Sequence, residues 1–558
     1  MSATGIYGLS GSGIDVESMV KVGMMTKQNQ YDSMYKKEIK DEWIKEAYSG
    51  VYSDLQTFSG STMSSYKMSS KTNPMLAASK DSTVTTATAN ADAASMSHTV
   101  NVTQLASNAY MQTQSGQSIT RLNTNSSTSI YLKDILYSAS DLSTAQSNYS
   151  SMTDEQKASN VLSFKISDGD PNGTGTNTET ISFTYKDLFE SNQTLNDLAT
   201  KIKNSGVNIN AQYDATNDSF SLYNKSGGSA NQINLTVADD PSGTTDDMAR
   251  SLLNNLNLGS VNTNNTITTL NPLTSGNTTM TASGQSAQVT IDGKAYTSDT
   301  NKISASNVTY NIAAAGTTTV TVSQDTDTII SNVNQFVTDY NKMIDELNTK
   351  YNETQYSGYD VLTTAQQNSM TSDQITKWND KAKSGLLYHD KNVGDVISSM
   401  RQAIYTPVDS VDSDYNTMMS IGITSATDQG HLTLDQDKLK KALAADPDCV
   451  YQLFSSSGDV TDSAGNTTTD YNKEGVVNRI YDSVNKDLSV MKDYAGTSTE
   501  SSDGSTLGDL IRDLKTKMSD FQTQMDAYED KLYSKYDAME TAIQQLSSSM
   551  NYVTGSKS

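Results

Sequence analysis

Five residues of this chain have the types and spacing of a metal-binding loop. Asp168, Asp170, Asn172, Gly173 and Glu179 match the calcium pattern D-x-[DN]-x-[DN]-G-x5-E position by position. Carboxylates and amides at alternate positions can wrap a hard cation in oxygen, and the glycine permits the sharp turn. The context argues otherwise. The stretch lies between two strand candidates instead of two helices, and Pro171 and Gly175 fill positions that do not help ligation. A hairpin tip of Asp, Asn and Gly needs no metal to explain it. The expectation is a turn, with calcium as the alternative and no resident cofactor.

The remaining candidates for chemistry are sparse. His98, His389 and His431 lie far apart without ligand-spaced neighbours. Cys449 is the only cysteine, so no intramolecular disulfide framework is possible. It follows Asp446, Pro447 and Asp448, an acidic setting that disfavours the thiolate, and reads as a small apolar residue on a helix. No nucleophile elbow, Walker loop or His-Glu-x-x-His zinc motif occurs. Gly11-Ser12-Gly13 precedes a helix, but no strand comes before it and the third glycine of a dinucleotide fingerprint is missing. That segment reads as a flexible lead-in, with Asp15 near a helix N-terminus, where a carboxylate is favoured. An enzyme is therefore not expected.

The 558 residues are 35% hydrophobic and carry a formal charge of −24. Slim modules with small cores fit this composition better than one large globule. The acidity disfavours nucleic-acid binding, which needs clustered Lys and Arg. No apolar run is long enough to span a membrane. The N-terminus lacks the basic segment and apolar core of a cleavable secretory signal.

With no pocket chemistry to place, the organising elements are helices at the two ends. From Leu507, apolar residues recur at Leu510, Leu514, Met518, Phe521, Met525, Tyr528, Leu532, Tyr536, Met539, Ile543, Leu546 and Met550. Every step is three or four residues, so they form one stripe on one side of a helix about 66 Å long. The mean step of about 3.58 predicts weak supercoiling. A stripe of that length needs a long partner helix. Residues 16–63 supply one, with Ile44, Tyr48, Val51, Leu55 and Phe58 at steps of 4, 3, 4 and 3. A third seam, Ile329, Val333, Phe336, Tyr340, Met343 and Leu347, returns after Asp325.

Between these lie period-two segments in polar, Gly-punctuated loops, such as Leu162-Phe164-Ile166, Ile181-Phe183-Tyr185 and Ile233-Leu235-Val237. They predict antiparallel strands in one or two β heads, with a short helix at Leu195–Ile202. Past residue 350, helices are expected near Val393–Ile404, Leu439–Leu443, Val450–Phe454 and Val476–Met491, with a loop at 456–470. The fold class is α+β and multidomain: a coiled-coil stalk built from both termini, with β-rich heads inserted.

Several stretches together resemble the family of bacterial flagellar filament cap proteins, the hook-associated protein 2 family, over nearly the whole chain. They are Gly11-Ser12-Gly13-Ile14-Asp15 before a helix, the helix-then-strand segment Leu195–Ala211, and Gly284–Asp327 with its Thr321-Val322-Ser323-Gln324-Asp325-Thr326 run. The most specific is Gly430–Phe454, where Leu-Thr-Leu-Asp, a Lys-Leu helix, Ala-Asp-Pro and Leu-Phe appear in the family's order. The resemblance implies terminal coiled-coil legs (1–42 and 507–558), a helical stalk (43–75 and 325–506), an inner β head (76–120 and 265–324) and an outer β head (121–264). It implies a ring of identical copies, a pentamer in the family, with flagellin, hook–filament junction proteins and an export chaperone as partners. It also implies an extracellular place at the flagellum tip, reached through the flagellar type III apparatus. An alternative is a tip-exposed adhesin whose heads bind host glycans or mucus, and a third reading is a filament subunit such as flagellin. The terminal helices and the Gly430–Phe454 stretch favour the cap over both.

Overall fold

The computed structural model describes residues 15–124, 129–169, 176–238, 244–261, 266–425, 429–497 and 503–555. The chain divides into two units, one built from residues 1–74 and 325–558, the other from residues 75–324.

The first unit is helical. Its N-terminal helix, Val16–Thr57, opens on Asp15, whose carboxylate accepts the Ser18 amide at 3.0 Å, as the sequence leads one to expect. The helix passes into a π-helical turn, Phe58–Met63, that keeps Phe58 and Met63 buried. The chain re-enters the unit through Thr326–Tyr351, capped by Asp325, and continues into Lys391–Tyr405, Val476–Ala495 and the C-terminal helix Thr506–Gly555. The seam Ile329, Val333, Phe336, Tyr340, Met343 and Leu347 is buried throughout, so its 3–4 periodicity does mark a core face. The Gly430–Phe454 stretch folds as a strand (Leu432–Leu434), a helix capped by Asp435 and a second helix (Cys449–Ser455). That last helix sets Phe454 edge-on against Phe336, with ring centroids 4.9 Å apart.

The second unit is β-rich, its described strand pairs are antiparallel, and it holds two cores. One lies between a five-stranded sheet (Met75–Ser79, Gly316–Gln324, Ser97–Gln104, Ala287–Ile291, Lys294–Ser298) and a three-stranded sheet (Lys302–Ala305, Val308–Ile312, Thr85–Ala89). The hairpin at Asp292-Gly293 has both residues at positive φ, 50° and 81°, as a tight two-residue turn requires. The other core, Ala109–Ala282, is enclosed by a five-stranded and a four-stranded sheet and by helices that include Leu195–Lys203.

Three expectations change. Ala109, Met111 and Ile119, with Leu273, Met280 and Ala282, pack in the outer core, so the inner head ends sooner on both sides than 120 and 265. Residues 456–470 are no simple loop: Ser457–Thr461 pairs with Thr467–Glu474. That hairpin is too polar to announce itself and is held from beneath, where the fully buried Arg479 donates to the carbonyls of Tyr471 (2.7 Å) and Asn472 (2.9 Å). Helices at Ala139–Ser151 and Thr244–Asn255 also interrupt the β region. The first is Ser-rich and shows little apolar periodicity.

Candidate functional site: the paired terminal helices

The N- and C-terminal helices run antiparallel along each other. Lys515 meets Glu38 and Glu42, Lys27 meets Phe521 and Tyr528, and Leu532 meets Val20 and Gly23. As one residue number rises the other falls, which fixes the direction.

The stripe on the C-terminal helix is only partly the one its periodicity suggests. Leu507, Leu514, Met518, Met525 and Leu532 are buried, and Phe521 and Tyr536 are half-buried. Leu510 is 41% exposed, while its neighbour Ile511 is 8% exposed and takes its place. The substitution restores a four-then-three step and therefore the heptad. Tyr528 lies at the edge beneath Lys27, whose ammonium is 5.4 Å from its ring centroid. Met539 and Ile543 are half-buried, and Leu546 and Met550 are exposed at 63% and 64%, beyond the level of Val16.

On the N-terminal helix, Tyr48, Val51, Leu55 and Phe58 lie in a cluster that the C-terminal helix enters only with Leu507. They are buried in the core of the first unit with Thr326–Tyr351, Lys391–Tyr405 and Val476–Ala495, and Ile44 packs at its margin. The Tyr48 hydroxyl accepts from Asn392 at 3.1 Å, and its ring meets Tyr494 edge-on at 5.2 Å. This seam is an intramolecular core face. The same heptad stripe, continued toward the N-terminus through Val16, Val20, Gly23 and Lys27, is the part that meets the C-terminal helix.

Charge fixes the register of the pair. Lys515 bridges Glu38 at 3.2 Å and Glu42 at 2.6 Å. Burial of Glu38, then its hydrogen bond with Glu42, pushes its pKa up; burial acts on Glu42 too, but Lys515 and Glu38 outweigh it and hold Glu42 below its ordinary value. Lys45 pairs with Asp503 just ahead of the C-terminal helix; despite partial burial, Lys45 and Ser505 bring that carboxyl down to about 2. Gly23 permits the closest approach, since a Cβ there would stand 2.8 Å from Leu532 Cδ1. Lys515, Lys45 and Gly23 escape a reading based on apolar spacing, because polar residues and glycine carry no hydrophobic period.

The metal-loop candidates separate. Asp170 and Asn172 lie outside the described residues. The Asp168 carboxylate accepts from the Asn177 amide at 2.8 Å, the Asn177 side chain at 3.2 Å and the Asn208 amide at 2.8 Å, so it ties the hairpin to a neighbouring strand. Glu179 lies exposed on the paired strand Thr178–Thr184, opposite Ile166. Among the described residues no group of three His, Cys, Asp or Glu could hold a metal ion. Cys449 is fully buried, and burial pushes its thiol up to about 12. His98 is buried against Asp292 at 2.6 Å and His431 pairs with Asp345, so each braces a turn or strand. No helix among the described residues is long and apolar enough to cross a membrane.

The family profile described as Flagellar hook-associated protein 2 C-terminus matches residues 284–548, and the corresponding N-terminus profile matches residues 12–109. The stretch between them coincides with the outer core, Ala109–Ala282. The flagellar hook-associated protein 2 of Halalkalibacterium halodurans is 26% identical over 554 residues, covering 96% of each chain. The A-type protein of the same name from Pseudomonas aeruginosa is 24% identical over 353 residues, 61% of this chain and 63% of that one. A crystal structure of the D1-D2-D3 domains of the Escherichia coli flagellar cap protein FliD aligns over 84% of this chain and 99% of that one, at 18% identity and a TM-score of 0.48. Both profiles fall on the elements that carry the paired termini, the inner β core and the Gly430–Phe454 signature; the chain belongs to the flagellar hook-associated protein 2 family.

Proposed function

We propose that this chain is a structural cap at the distal tip of the bacterial flagellum. There it retains exported flagellin and promotes its folding and insertion into the growing filament. The observation that carries this reading is the match of both terminal profiles to one flagellar family, together with a chain whose two ends form a single helical pair. A thin pair with one buried stripe is weakly ordered by itself and is stabilised by whatever packs on its open faces. That suits legs that release and rebind as subunits arrive beneath them.

On this reading the copies form a ring, a pentamer by the family pattern. Flagellin, junction proteins and an export chaperone are the partners, and the chain leaves the cell through the flagellar export apparatus. The role is mechanical, without catalysis, nucleic acid or membrane insertion. No observation favours an adhesive role for the β region. Deleting the gene tests the proposal: cells are expected to shed unpolymerised flagellin and stop swimming, with recovery on re-expression. Normal filaments after deletion would overturn it.

A further inference from the structure

Three openings lie in line between the N-terminal helix and helix Thr326–Tyr351. Adjacent ones share Glu46, Ala47 and Lys350 at one junction and Asp54, Met343 and Glu346 at the other. They therefore form one groove, which follows the N-terminal helix from Trp43 to Thr62, about 28 Å at 1.5 Å per residue. Its central part holds 520 Å³.

The floor is apolar. Ala47 and Val51 on one helix and Met343 and Leu347 on the other are each four residues apart, so each pair forms a ridge along its own helix. The rim is acidic: Glu46, Asp54, Asp345 and Glu346 stand exposed there, with Lys342, Lys350 and Lys383 as the cations; Lys383 pairs with Glu46 at 2.8 Å and His431 with Asp345.

Gly50 opens onto the middle of this groove. It sits inside a 42-residue helix, where glycine is less favourable than alanine. A Cβ added to Gly50 would meet nothing within 4 Å. The folded chain therefore has no use for bare backbone at this point, in contrast to Gly23, which is packed against Leu532. Bare backbone facing an open apolar floor is what allows another helix to approach closely.

We propose that this groove docks an amphipathic helix of another protein, one with a seam of small and aliphatic residues flanked by lysine or arginine. A helix fits because two parallel ridges with a gap between them accept a third row of side chains. An extended strand does not, since neither wall offers an unpaired sheet edge for its backbone. Basic flanks follow from the rim, where acids outnumber cations and complementary charge selects the partner. The inference stands on the first unit alone and does not depend on the filament-cap reading.

The test uses the full chain and two fluorescein-labelled synthetic helices of about 18 residues, matched to the groove length. Both carry the same Ala/Leu seam, one with lysine flanks and one with glutamate flanks. Fluorescence anisotropy is expected to show the lysine peptide binding roughly tenfold or more tightly than the glutamate peptide. Gly50→Leu, which fills the floor, is expected to weaken the lysine peptide by about tenfold or more, with circular dichroism confirming the fold. Glu346→Lys lies on an exposed position and is expected to narrow or invert the preference between the peptides. Equal binding of the two peptides, no binding of either, or unchanged binding in both variants would overturn the proposal. So would self-association of the wild type that Gly50→Leu abolishes in sedimentation, because a second copy would then be the occupant.

Discussion

The two halves of the N-terminal helix share one backbone and live in different environments. Tyr48 to Phe58 are walled by three further helices, in a core that also contains Phe336, Val393, Met400, Ile480 and Phe454. Val16 to Lys45 lean chiefly on the C-terminal helix, and among the described residues the buried cluster near Val16 is Val16, Val20 and Leu532. A heptad pattern alone does not tell these apart. Toward Phe58, the residues Tyr48, Val51, Leu55 and Phe58 are buried among several helices. Toward Val16, one stripe is covered while its flanks stay wet, so packing supplies less per turn and ion pairs such as Lys515 with Glu38 and Glu42 help to set the register. The expected result is a stability gradient along one helix, highest toward Phe58 and lowest toward Val16.

The sharpest way to break this comparison is to remove packing from the enclosed half. Phe336→Ala is expected to cost about 3–5 kcal/mol in urea unfolding of the first unit, because its ring sits among Tyr66, Tyr340 and Phe454. Leu532→Ala is expected to leave that midpoint nearly unchanged. Equal losses would mean the gradient does not exist.

A charge in the thin pair acts locally. Leu514→Asp with Phe521→Asp is expected to open the terminal pair by on the order of 3 kcal/mol, since buried carboxylates would lack partners. Hydrogen exchange should accelerate over residues 16–40 and 515–540 and stay slow over 329–344. In cells the variant should swim as poorly as the deletion strain, and full motility would detach the pair from function.

Two carboxyls of the first unit should respond to pH in opposite directions. Glu474 is buried on the strand leading into helix Val476–Ala495; burial first, then the nearby Asp482, raises its pKa from 4.5 to about 7. The stability it contributes is complete below its unfolded pKa and is lost as pH rises through about 7, on the order of 2 kcal/mol. Glu474→Gln should flatten the melting temperature between pH 5 and pH 8. Asp503 shifts the other way, down to about 2, so the contribution of its pair with Lys45 is present above pH 3.8 and is lost as pH falls toward 2. A first unit whose melting temperature rises through neutrality would contradict the Glu474 assignment.

The smallest effects separate two glycines. Gly23→Ala forces a Cβ onto Leu532 and should destabilise the terminal pair by roughly 1 kcal/mol. Gly50→Ala meets open space and should stabilise its helix by about 0.5–1 kcal/mol. Both changes can be read by thermal melts followed at 222 nm (the helix band).

Much of this architecture was legible before any coordinates. The long stripes announced the terminal helices, and the 3–4 steps of Ile329–Leu347 marked a core face. Legibility failed where structure is held by polar contacts. The Ser457–Glu474 hairpin depends on Arg479, and the helix Ala139–Ser151 presents mainly Ser, Asn and Gln to solvent. The stretch from Asp168 to Glu179 matched a metal pattern as well as a turn because oxygen-bearing residues serve turns and cations with the same spacing. Tertiary structure adds that the Asp168 carboxylate accepts from Asn177 and from Asn208, the second 40 positions away.

The linear order of residues by itself determined the long helices and the apolar strands and which side of each is apolar, because both follow from local periodicity. It also carried enough specific stretches to mark the family. Tertiary structure alone decided what each apolar face meets: Tyr48–Phe58 turned inward to the core, Ile511 replaced Leu510, and the groove beside Gly50 stayed open. The reason is geometric. Periodicity defines the direction of a side chain about its own axis, whereas its partner depends on how distant helices pack, and that is set by the summed shape and charge of the whole unit.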